Sequence, residues 1–526
     1  MKRIRFFLLC LFPALYTVYG TNRPNVLFIL SDDLGYGDVS SYNPSSKVQT
    51  PHLDRLAKQG MRFTDAHSPS TVCTPTRYSV MTGRMAFRLS YAGVFTGVGG
   101  PCLITDERLT IAEMFQEEGY ATAMYGKWHI GMTFRDKNNQ PVYEADLSHL
   151  DDVEESWRVK GNAVVNLVDF SKRVEEGPLD HGFDDFFGTA CCPTTDWLYA
   201  FIDGDRVPNP PTEELDARKE GLPTHAYSKD NRPGMLASDF DLEEVDGLFL
   251  EKSVAFLKNH VRKKPDQPFF LFHSTQAVHL PSFPGDAYKG KTEAGPHGDF
   301  IHQLDDHVGQ LMATLEELGV ADNTLVIFSS DNGPEVPTVV DMRKVYNHDG
   351  AAPWRGMKRD QWEGGHRVPF IARWPGKIKA GSTSDQTICL TDTMATCAAI
   401  LGYDLPTNAA EDSFNILPVF LGEDDEPIRP YTLHQTIRLA LAVRVGKWKY
   451  LDHQNSGGNR YETRDFLKPF ILPDAAPDEP GQLYNLEEDP GERNNLYNKH
   501  PDIVRMLKAL LDASVDSGRS APLERG

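Results

Sequence analysis

The strongest constraint on the fold of this chain is a regular alternation of short apolar runs with amphipathic helical segments. The run PNVLFIL (24–30) ends in the polar loop SDDLGYGD, and the next segment, TPHLDRLAKQGMRF, has the apolar spacing of a helix. The same theme returns later in QPFFLFHSTQAVH, DDHVGQLMATLEELG and NTLVIFSSDNG. This alternation predicts an α/β domain in which a largely parallel sheet lies under helices.

The two ends of the chain differ from this body. The basic MKRIR, the apolar FFLLCLFPALYTV and the small residue of VYG form the pattern of a secretory signal peptide, predicted at 1–20. We assign 21–414 to the main domain. After it, the alternating LALAVRVGKWKYL and the amphipathic DIVRMLKALLDASV predict a small α+β domain at 415–526.

The charge of the chain limits its partners. It carries 54 basic and 75 acidic residues, a net charge of −21, which becomes −24 when Lys2, Arg3 and Arg5 leave with the signal peptide. A nucleic-acid partner is excluded, because such a binder needs the opposite sign. No membrane span is expected after signal cleavage, since the body has no apolar run of about 20 residues. An anionic substrate would have to enter a local basic pocket.

The cysteines do not form a recognisable framework. Six remain in the mature chain, which is too sparse for a disulfide scaffold, although one bridge such as Cys389–Cys397 stays open. No CxxC or His/Cys cluster suggests zinc. The only Asn-x-Ser/Thr triplet is Asn43-Pro44-Ser45, which proline blocks for glycosylation. We therefore expect an exported protein of a bacterial periplasm or exterior.

Two loops carry oxygen ligands directly after predicted strands. Asp32 and Asp33 follow the first strand, and Asp331 and Asn332 follow a later one. Loops beyond the carboxyl ends of parallel strands meet at one edge of the sheet. Carboxylates and an amide suit a hard divalent cation, and Ca²⁺ or Mg²⁺ fits better than zinc because no histidines accompany them. Each pair alone would also be ordinary for a turn.

Basic side chains lie in similar loops. Lys127 and His129 occur in YGKWHIG, His279 occurs in QAVHLPS, and Lys358 occurs in WRGMKRDQWEGGHRVPF. A single lysine is usually a solvated surface group. These residues lie instead among glycines and aromatic residues, where a mobile surface group is less expected.

The stretch SPSTVCTPTRYSVMTGR (68–84) holds a single cysteine, Cys73. If Thr74 is the N-cap and Pro75 the first helical residue, Cys73 lies at a helix N-terminus that favours anions. Arg77 returns to the same face one turn later. The residues alone leave three possibilities open: a nucleophile, a buried packing thiol or half of a disulfide.

The chain is similar to the type I sulfatases, which are arylsulfatase-like members of the alkaline phosphatase superfamily. CTPTR matches their C-x-P-x-R motif. Further blocks follow in sulfatase order along nearly the whole mature chain, among them PNVLFILSDDLGYGD, LTIAEMFQEEGYATAMYGKWHIG, LVIFSSDNGP and WRGMKRDQWEGGHRVPFIARWPG. The resemblance implies an alkaline-phosphatase-like α/β sandwich with a smaller C-terminal domain that holds an antiparallel sheet.

The resemblance also implies roles for the candidate residues. A maturation enzyme would convert Cys73 to Cα-formylglycine, whose hydrated form, a gem-diol, attacks sulfur. One Ca²⁺ would be held by Asp32, Asp33, Asp331, Asn332 and the modified residue 73. Arg77 would stabilise the formylglycine, and Lys127 and His129 would contact its hydroxyls. His279 and Lys358 would grip the sulfate, and one of them would protonate the leaving oxygen.

The implied substrate is a sulfated small molecule or oligosaccharide. Trp197, His348 and Trp354 lie in loops that could reach a sugar, although each is expected to have a structural role. One alternative is a phosphoester or phosphonate hydrolase of the same superfamily. The other is a catalytically silent carbohydrate-binding relative, which would have lost a nucleophile or a ligand, whereas every expected position is filled here.

Overall fold

We describe the protein from a computed structural model, in which residues 23–152, 156–215, 233–423 and 426–523 are described. The signal peptide predicted at 1–20 lies outside these residues and stays a prediction. Within the described ranges, no helix combines the length and the apolar character that crossing a membrane requires.

The strands of the described ranges are β1 Asn25–Ser31, β2 Met61–Phe63, β3 Ala66–His67, β4 Ala121–Lys127, β5 Asp185–Thr189, β6 Leu198–Tyr199, β7 Ile202–Asp203, β8 Glu213–Leu215, β9 Gly234–Leu236, β10 Phe269–Ser274, β11 Thr324–Ser330, β12 Phe370–Arg373, β13 Ser382–Ser384, β14 Ile388–Cys389, β15 Thr432–Gln435, β16 Leu441–Val445, β17 Trp448–Leu451 and β18 Gln482–Asn485. The α-helices are α1 Pro51–Gln59, α2 Cys73–Thr82, α3 Ile111–Glu117, α4 Ser156–Leu167, α5 Val245–Lys263, α6 Gly295–Glu317, α7 Val336–Tyr346, α8 Asp392–Leu401, α9 Leu417–Leu421 and α10 Pro501–Asp516.

The main sheet has the strand order β13-β2-β12-β11-β1-β10-β4-β5-β7. Its five central strands, from β11 to β5, run parallel. Strand β12 is antiparallel to both β11 and β2, β7 is antiparallel to β5, and β13 is parallel to β2. Every residue of β1 is buried, as expected for a parallel sheet that is covered on both faces. The mixed, mostly parallel sheet confirms the predicted fold class.

Helices pack around this sheet in two groups. Helices α1 and α5 each contact α6, and α2, α3 and α8 form a second set of mutual contacts. Both groups contribute to one continuous apolar core with the strands. The strands therefore read as unbroken apolar runs, because they have no solvent-facing side.

The register of the central strands brings their carboxyl ends level. Ser31 lies opposite Ser330, and Ser274 lies opposite both Leu30 and Gly126. Gly126 has φ +124°, and a Cβ there would lie 1.7 Å from the Ser274 carbonyl oxygen, so this close approach requires glycine. The loops that leave β1, β4, β10 and β11 consequently begin at one edge of the sheet.

A separate four-stranded antiparallel sheet, β15-β16-β17-β18, lies near the C-terminus. Helix α10 packs on one face through Leu507 and Leu511. The other face places Leu451 and Tyr484 in one apolar cluster with Trp362 of the main body. This sheet confirms the predicted C-terminal α+β element, while the domain boundaries at residues 20 and 414 stay predictions.

The cysteines of the described residues are all free thiols, including Cys389 and Cys397. The single bridge that the sequence leaves open is therefore absent from this part of the chain.

Candidate active site

The two acidic loops meet at the carboxyl edge of the main sheet, as the sequence predicts. Asp32 and Asp33 follow β1 directly, and Asp331 and Asn332 follow its neighbour β11. The Asp33 backbone N–H donates to Asp331 Oδ1 at 3.2 Å, and the Asn332 side-chain amide donates to Asp33 Oδ1 at 2.7 Å. All four side chains are fully buried. Their oxygens therefore form one compact group inside the protein.

Cys73 lies beside this acidic group, at the first residue of α2. The sequence predicts that Thr74 caps this helix, but the helix begins at Cys73 and Val72 is its N-cap. Thr74 is the second residue of the helix and is therefore not its cap. Its hydroxyl oxygen instead accepts a hydrogen bond from the Phe95 backbone N–H at 3.2 Å. The correction leaves Cys73 in the first helical turn, where free N–H groups favour anions.

Arg77 lies one turn after Cys73 and hydrogen-bonds to residues at the carboxyl ends of three strands. Its Nε donates to Asp331 Oδ2 at 3.0 Å. Its NH1 donates to Ser274 Oγ at 2.6 Å and to the Lys127 carbonyl oxygen at 3.1 Å. The side chain of Arg77 is 2% exposed, so these contacts hold its guanidinium at a defined place in the site.

The two lysines pair with the two aspartates that follow β1. Lys127 ends β4, and its Nζ donates to Asp32 Oδ2. Lys358 Nζ lies 2.8 Å from Asp33 Oδ2 and 3.4 Å from Glu335 Oε2. Both lysines are buried, so each ammonium group is held at a defined place at the site.

Backbone carbonyls determine which ring nitrogen of each histidine is free. His129 Nε2 lies 2.7 Å from the Phe95 carbonyl oxygen, and His279 Nδ1 contacts the Leu280 carbonyl oxygen. A carbonyl only accepts, so these nitrogens carry the protons. The lone pairs of His129 Nδ1 and His279 Nε2 are left facing the site, and His279 Nε2 lies 3.7 Å from Asp33 Oδ2.

Burial and charge act differently on the two adjacent aspartates. Burial alone would raise the pKa of Asp32, but Lys127 and other nearby cations lower that pKa to about 2. Burial raises the pKa of Asp33 to about 7, because the attraction of Lys358 offsets only part of the desolvation cost. Two carboxylates side by side thus differ strongly in proton affinity, which is typical of a functional site.

The oxygen ligands fit a hard divalent cation. Asp32 Oδ1 and Asn332 Oδ1 are buried and have no hydrogen-bond partner. Buried polar atoms are otherwise almost always paired, so these two oxygens are available to an ion. Donor atoms of Asp32, Asp331 and Cys73 lie within 4.8 Å of one another. Carboxylate and amide oxygens are the ligands that Ca²⁺ and Mg²⁺ prefer.

Cys192 also lies in this pocket, and the sequence analysis missed it. It follows β5, and its Sγ lies 3.7 Å from His279 Nε2 and 3.9 Å from His129 Nδ1. Its thiol hydrogen-bonds to Cys73, and this bond together with Lys127 lowers the pKa of Cys73 well below its usual range, although burial opposes the shift. The only available signal was its place in a loop directly after a buried strand.

The aromatic and histidine candidates for sugar contacts have structural surroundings. His348 Nε2 lies 2.7 Å from Asp38 Oδ1 and is buried. Trp354 packs edge-on against Tyr36 and carries the Arg367 guanidinium over its ring. The Trp197 ring covers Gly161, where a Cβ would lie 2.2 Å from the indole. The structural roles expected for these side chains agree with their packing.

Comparisons with known proteins agree on one family. The family model for sulfatases matches residues 24–403. An N-acetylgalactosamine-6-O-sulfatase of Bacteroides thetaiotaomicron is 32% identical over 94% of this chain and 93% of its own length. Human arylsulfatase A is 31% identical over 94% of this chain and 90% of its own length.

A solved structure from work on the metabolism of multiple glycosaminoglycans by Bacteroides thetaiotaomicron has a TM-score of 0.77 at 30% identity. It covers 94% of this chain and 100% of the compared chain. The likeness extends over the main sheet and the C-terminal sheet alike, which is the alkaline-phosphatase-like α/β fold that the resemblance implies. The chain therefore belongs to the sulfatase family, of type I, and is a sulfuric ester hydrolase.

Proposed function

We propose that the chain hydrolyses sulfate esters of carbohydrates, with a Cα-formylglycine made from Cys73 and one bound divalent cation. The observation that carries the proposal is the convergence of one cysteine, four cation ligands and five cationic or imidazole side chains at a single buried edge. The names of two relatives, an N-acetylgalactosamine-6-O-sulfatase and an arylsulfatase, support this substrate class.

The cation would be held by Asp32, Asp33, Asp331, Asn332 and the modified residue 73. Ca²⁺ is preferred to Mg²⁺, because Mg²⁺ is usually bound through only one or two carboxylates and several waters, whereas three carboxylates and an amide are present here. When present, the formylglycine supplies a hydrated aldehyde hydroxyl as nucleophile, and the cation lowers the cost of negative charge beside it.

The protein's own positive groups bind the sulfate. Lys127, Lys358 and Arg77 converge on the pocket in front of Cys73, and all three are buried. In such a site, fixed charges stabilise an anion far more than they would in water. They orient the sulfuryl group and neutralise the charge that develops on its oxygens.

The histidine tautomers support one assignment of the proton transfers. Lys358 Nζ carries protons and is the donor to the leaving alcohol oxygen. His279 presents a lone pair at Nε2, because its Nδ1–H is used by Leu280, so it accepts a hydrogen bond and orients the substrate. His129 presents a lone pair at Nδ1 and accepts the proton that must leave the second hydroxyl of residue 73.

We further infer that the enzyme is exported to a bacterial periplasm or exterior, where it acts on small sulfated fragments. A chain of net charge −21 repels a long polyanion from most of its surface. We therefore expect faster turnover of sulfated oligosaccharides than of the intact polymer, measured as released sulfate per ester. A higher rate on the polymer would contradict this.

A panel of sulfated sugars, with an aryl sulfate and an aryl phosphate beside them, tests the proposal. We expect sulfate release from at least one sugar and turnover of the aryl sulfate well above that of the phosphate. Faster turnover of the phosphate would favour the phosphoester hydrolase. Conversion of Cys73 lowers the intact mass by about 18 Da. Active enzyme with an unconverted Cys73 would refute the formylglycine.

A further inference from the structure

The pocket contains a second set of metal ligands of a different chemical kind. Cys73, His129 and Cys192 are buried, and their ligand atoms lie within 4.8 Å of one another. Cys192 has no role in the hydrolysis proposed above. In the sequence these residues are separated by 56 and 63 positions, which is why no zinc pattern is visible there.

The two histidines already have the orientation of metal ligands. His129 donates its Nε2–H to the Phe95 carbonyl oxygen at 2.7 Å, and His279 donates its Nδ1–H to the Leu280 carbonyl oxygen. Outer hydrogen bonds of this kind orient metal-binding histidines and select the tautomer. The free lone pairs, at His129 Nδ1 and His279 Nε2, both face Cys192 Sγ.

The separations suit a tetrahedral zinc ion. Zinc bonds of about 2.3 Å to sulfur and about 2.0–2.1 Å to nitrogen place neighbouring sulfur and nitrogen ligands about 3.6 Å apart. Cys192 Sγ lies 3.7 Å from His279 Nε2 and 3.9 Å from His129 Nδ1. Cys73 Sγ completes the group, because it lies within 4.8 Å of both Cys192 Sγ and the His129 ligand nitrogen.

We propose that the chain with an unconverted Cys73 binds Zn²⁺, or another soft divalent ion, through Cys73, Cys192 and His129, with His279 as the fourth ligand. Two thiolates balance the charge of the ion, so the bound ion and its two sulfur ligands together are neutral beside Lys127. Thiolate and imidazole ligands select such ions, whereas the neighbouring oxygen ligands select Ca²⁺.

Conversion of Cys73 changes which ion the pocket holds. Loss of this thiolate removes one of two sulfur ligands, and the remaining cysteine leaves an incomplete soft site. Protein that escapes conversion is therefore expected to hold zinc, and converted protein is expected to release it. The inference concerns the unconverted chain and does not rest on the proposed sulfate hydrolysis.

Cobalt spectroscopy of the full chain tests this site. The protein is made without the maturation enzyme, its mass is checked for a free Cys73 thiol, and Co²⁺ is added. We expect one Co²⁺ per chain, with the visible bands of tetrahedral Co²⁺, a near-ultraviolet thiolate band, and loss of both on addition of Zn²⁺. Unconverted wild-type protein without a thiolate band would refute the proposal outright.

Matched variants identify the ligands. Cys192→Ser should lose about half of the thiolate band and bind Co²⁺ at least tenfold more weakly, since one of two sulfur ligands is removed. Cys191→Ser changes the adjacent buried cysteine and should leave the spectrum intact. A thiolate band of undiminished intensity in Cys192→Ser, or loss of the band in folded Cys191→Ser, would contradict the assignment. Cys192→Ala and a thermal unfolding scan separate loss of the ligand from loss of the fold.

Discussion

Lys358 shows how a single residue can serve both binding and proton transfer. Its Nζ lies between Asp33 and Glu335, and the side chain is 4% exposed. Burial alone would lower the pKa of Lys358, but these two carboxylates raise it above its usual value. The side chain therefore stays protonated, and it can donate a proton to a leaving oxygen that is a poor leaving group.

The loss of kcat caused by replacing Lys358 should depend on the leaving group of the substrate. We expect Lys358→Gln to lower kcat by about 10²–10⁴-fold on a sugar sulfate, as for loss of a general acid. The loss on a nitrophenyl sulfate should be smaller, because a nitrophenolate leaves without a proton. Steady-state kinetics on both substrates measures the difference, and Lys344→Gln, on the exposed side of α7, is the control. Equal losses on the two substrates would show that Lys358 only binds sulfate.

At the scale of elements, the acidic loops join β1 to β11 at the place where the cation would lie. Removal of the ion with a chelator should abolish turnover and lower the midpoint of thermal unfolding. Return of Ca²⁺ at about 100 times its Kd should restore about 2.7 kcal/mol of stability.

A variant distinguishes stabilisation by Ca²⁺ bound at this site from a nonspecific effect of added salt. Asn332→Ala should shift the Ca²⁺ dependence of the unfolding midpoint to higher concentration, because it removes a buried oxygen that has no other partner. Identical Ca²⁺ dependence in wild type and variant would exclude Asn332 as a ligand.

A loop of the C-terminal sheet clamps the segment that carries Lys358. The Asn459 side-chain amide donates to the Lys358 carbonyl oxygen at 2.9 Å and to Asp360 Oδ1 at 2.7 Å. The Tyr461 hydroxyl donates to Asp360 Oδ2 at 2.6 Å. A Cβ on Gly458 would lie 1.9 Å from the Arg359 carbonyl oxygen, so the loop tolerates no side chain there. Asn459 is therefore a positioning residue for Lys358.

Loss of this clamp should reduce the rate more than the affinity. We expect Asn459→Ala to lower kcat about tenfold to a hundredfold with little change in KM, because small displacements of a reacting group are costly. The loss should again be larger on a sugar sulfate than on a nitrophenyl sulfate, which a purely structural role would not produce. Asn498→Ala, an exposed substitution of the same type, is the control. A change confined to KM would contradict the assignment.

At the scale of the whole molecule, a buried histidine cluster joins the main body to the C-terminal sheet. The His366 and His434 rings stack with centroids 3.9 Å apart, and His67 Nδ1 lies 3.0 Å from His366 Nδ1. The cluster is surrounded by two acidic and two basic side chains, so the charge around it is nearly balanced: Asp65, Glu363, Arg444 and Lys449. Stacked, fully buried rings of this kind are stable only when they are neutral.

The cluster makes stability depend on pH in a definite direction. Burial lowers the pKa of His366 and of His434 well below the usual 6.5. Below about pH 6.5 the unfolded chain binds protons at these positions and the folded protein does not, so their stabilisation is complete above that pH and falls with acidification.

Removal of one ring should weaken this dependence. Between pH 7 and pH 5, we expect His434→Phe to lose less unfolding free energy than wild type, by up to about 1.4 kcal/mol per pH unit for one proton. Denaturant unfolding at several pH values measures the unfolding free energies of both proteins. The contributions of the other titrating groups cancel in the difference between wild type and variant. The exposed His149→Phe is the control, and parallel pH curves for wild type and His434→Phe would contradict the prediction.

The pattern of amino acids was enough to locate the central strands β1, β10 and β11 and most of the residue types at the site. Apolar runs report burial directly, and parallel strands must end at a common edge, so Asp32 and Asp331 could be placed together from pattern alone. The family motif around Cys73 supplied the chemistry. These inferences depend on local patterns or on the topology that such patterns impose.

Which side chains touch one another became known only from the folded chain. Lys127 pairs with Asp32, Asn459 reaches Lys358 from another sheet, and Cys192 lies against the two site histidines. The histidine tautomers depend on the carbonyls of Phe95 and Leu280, whose directions are set by loop backbone. Such contacts join residues far apart in the chain through strand register and loop conformation. No local pattern encodes them, because hydrogen bonds and ion pairs change with shifts of about 1 Å that hydrophobic burial tolerates.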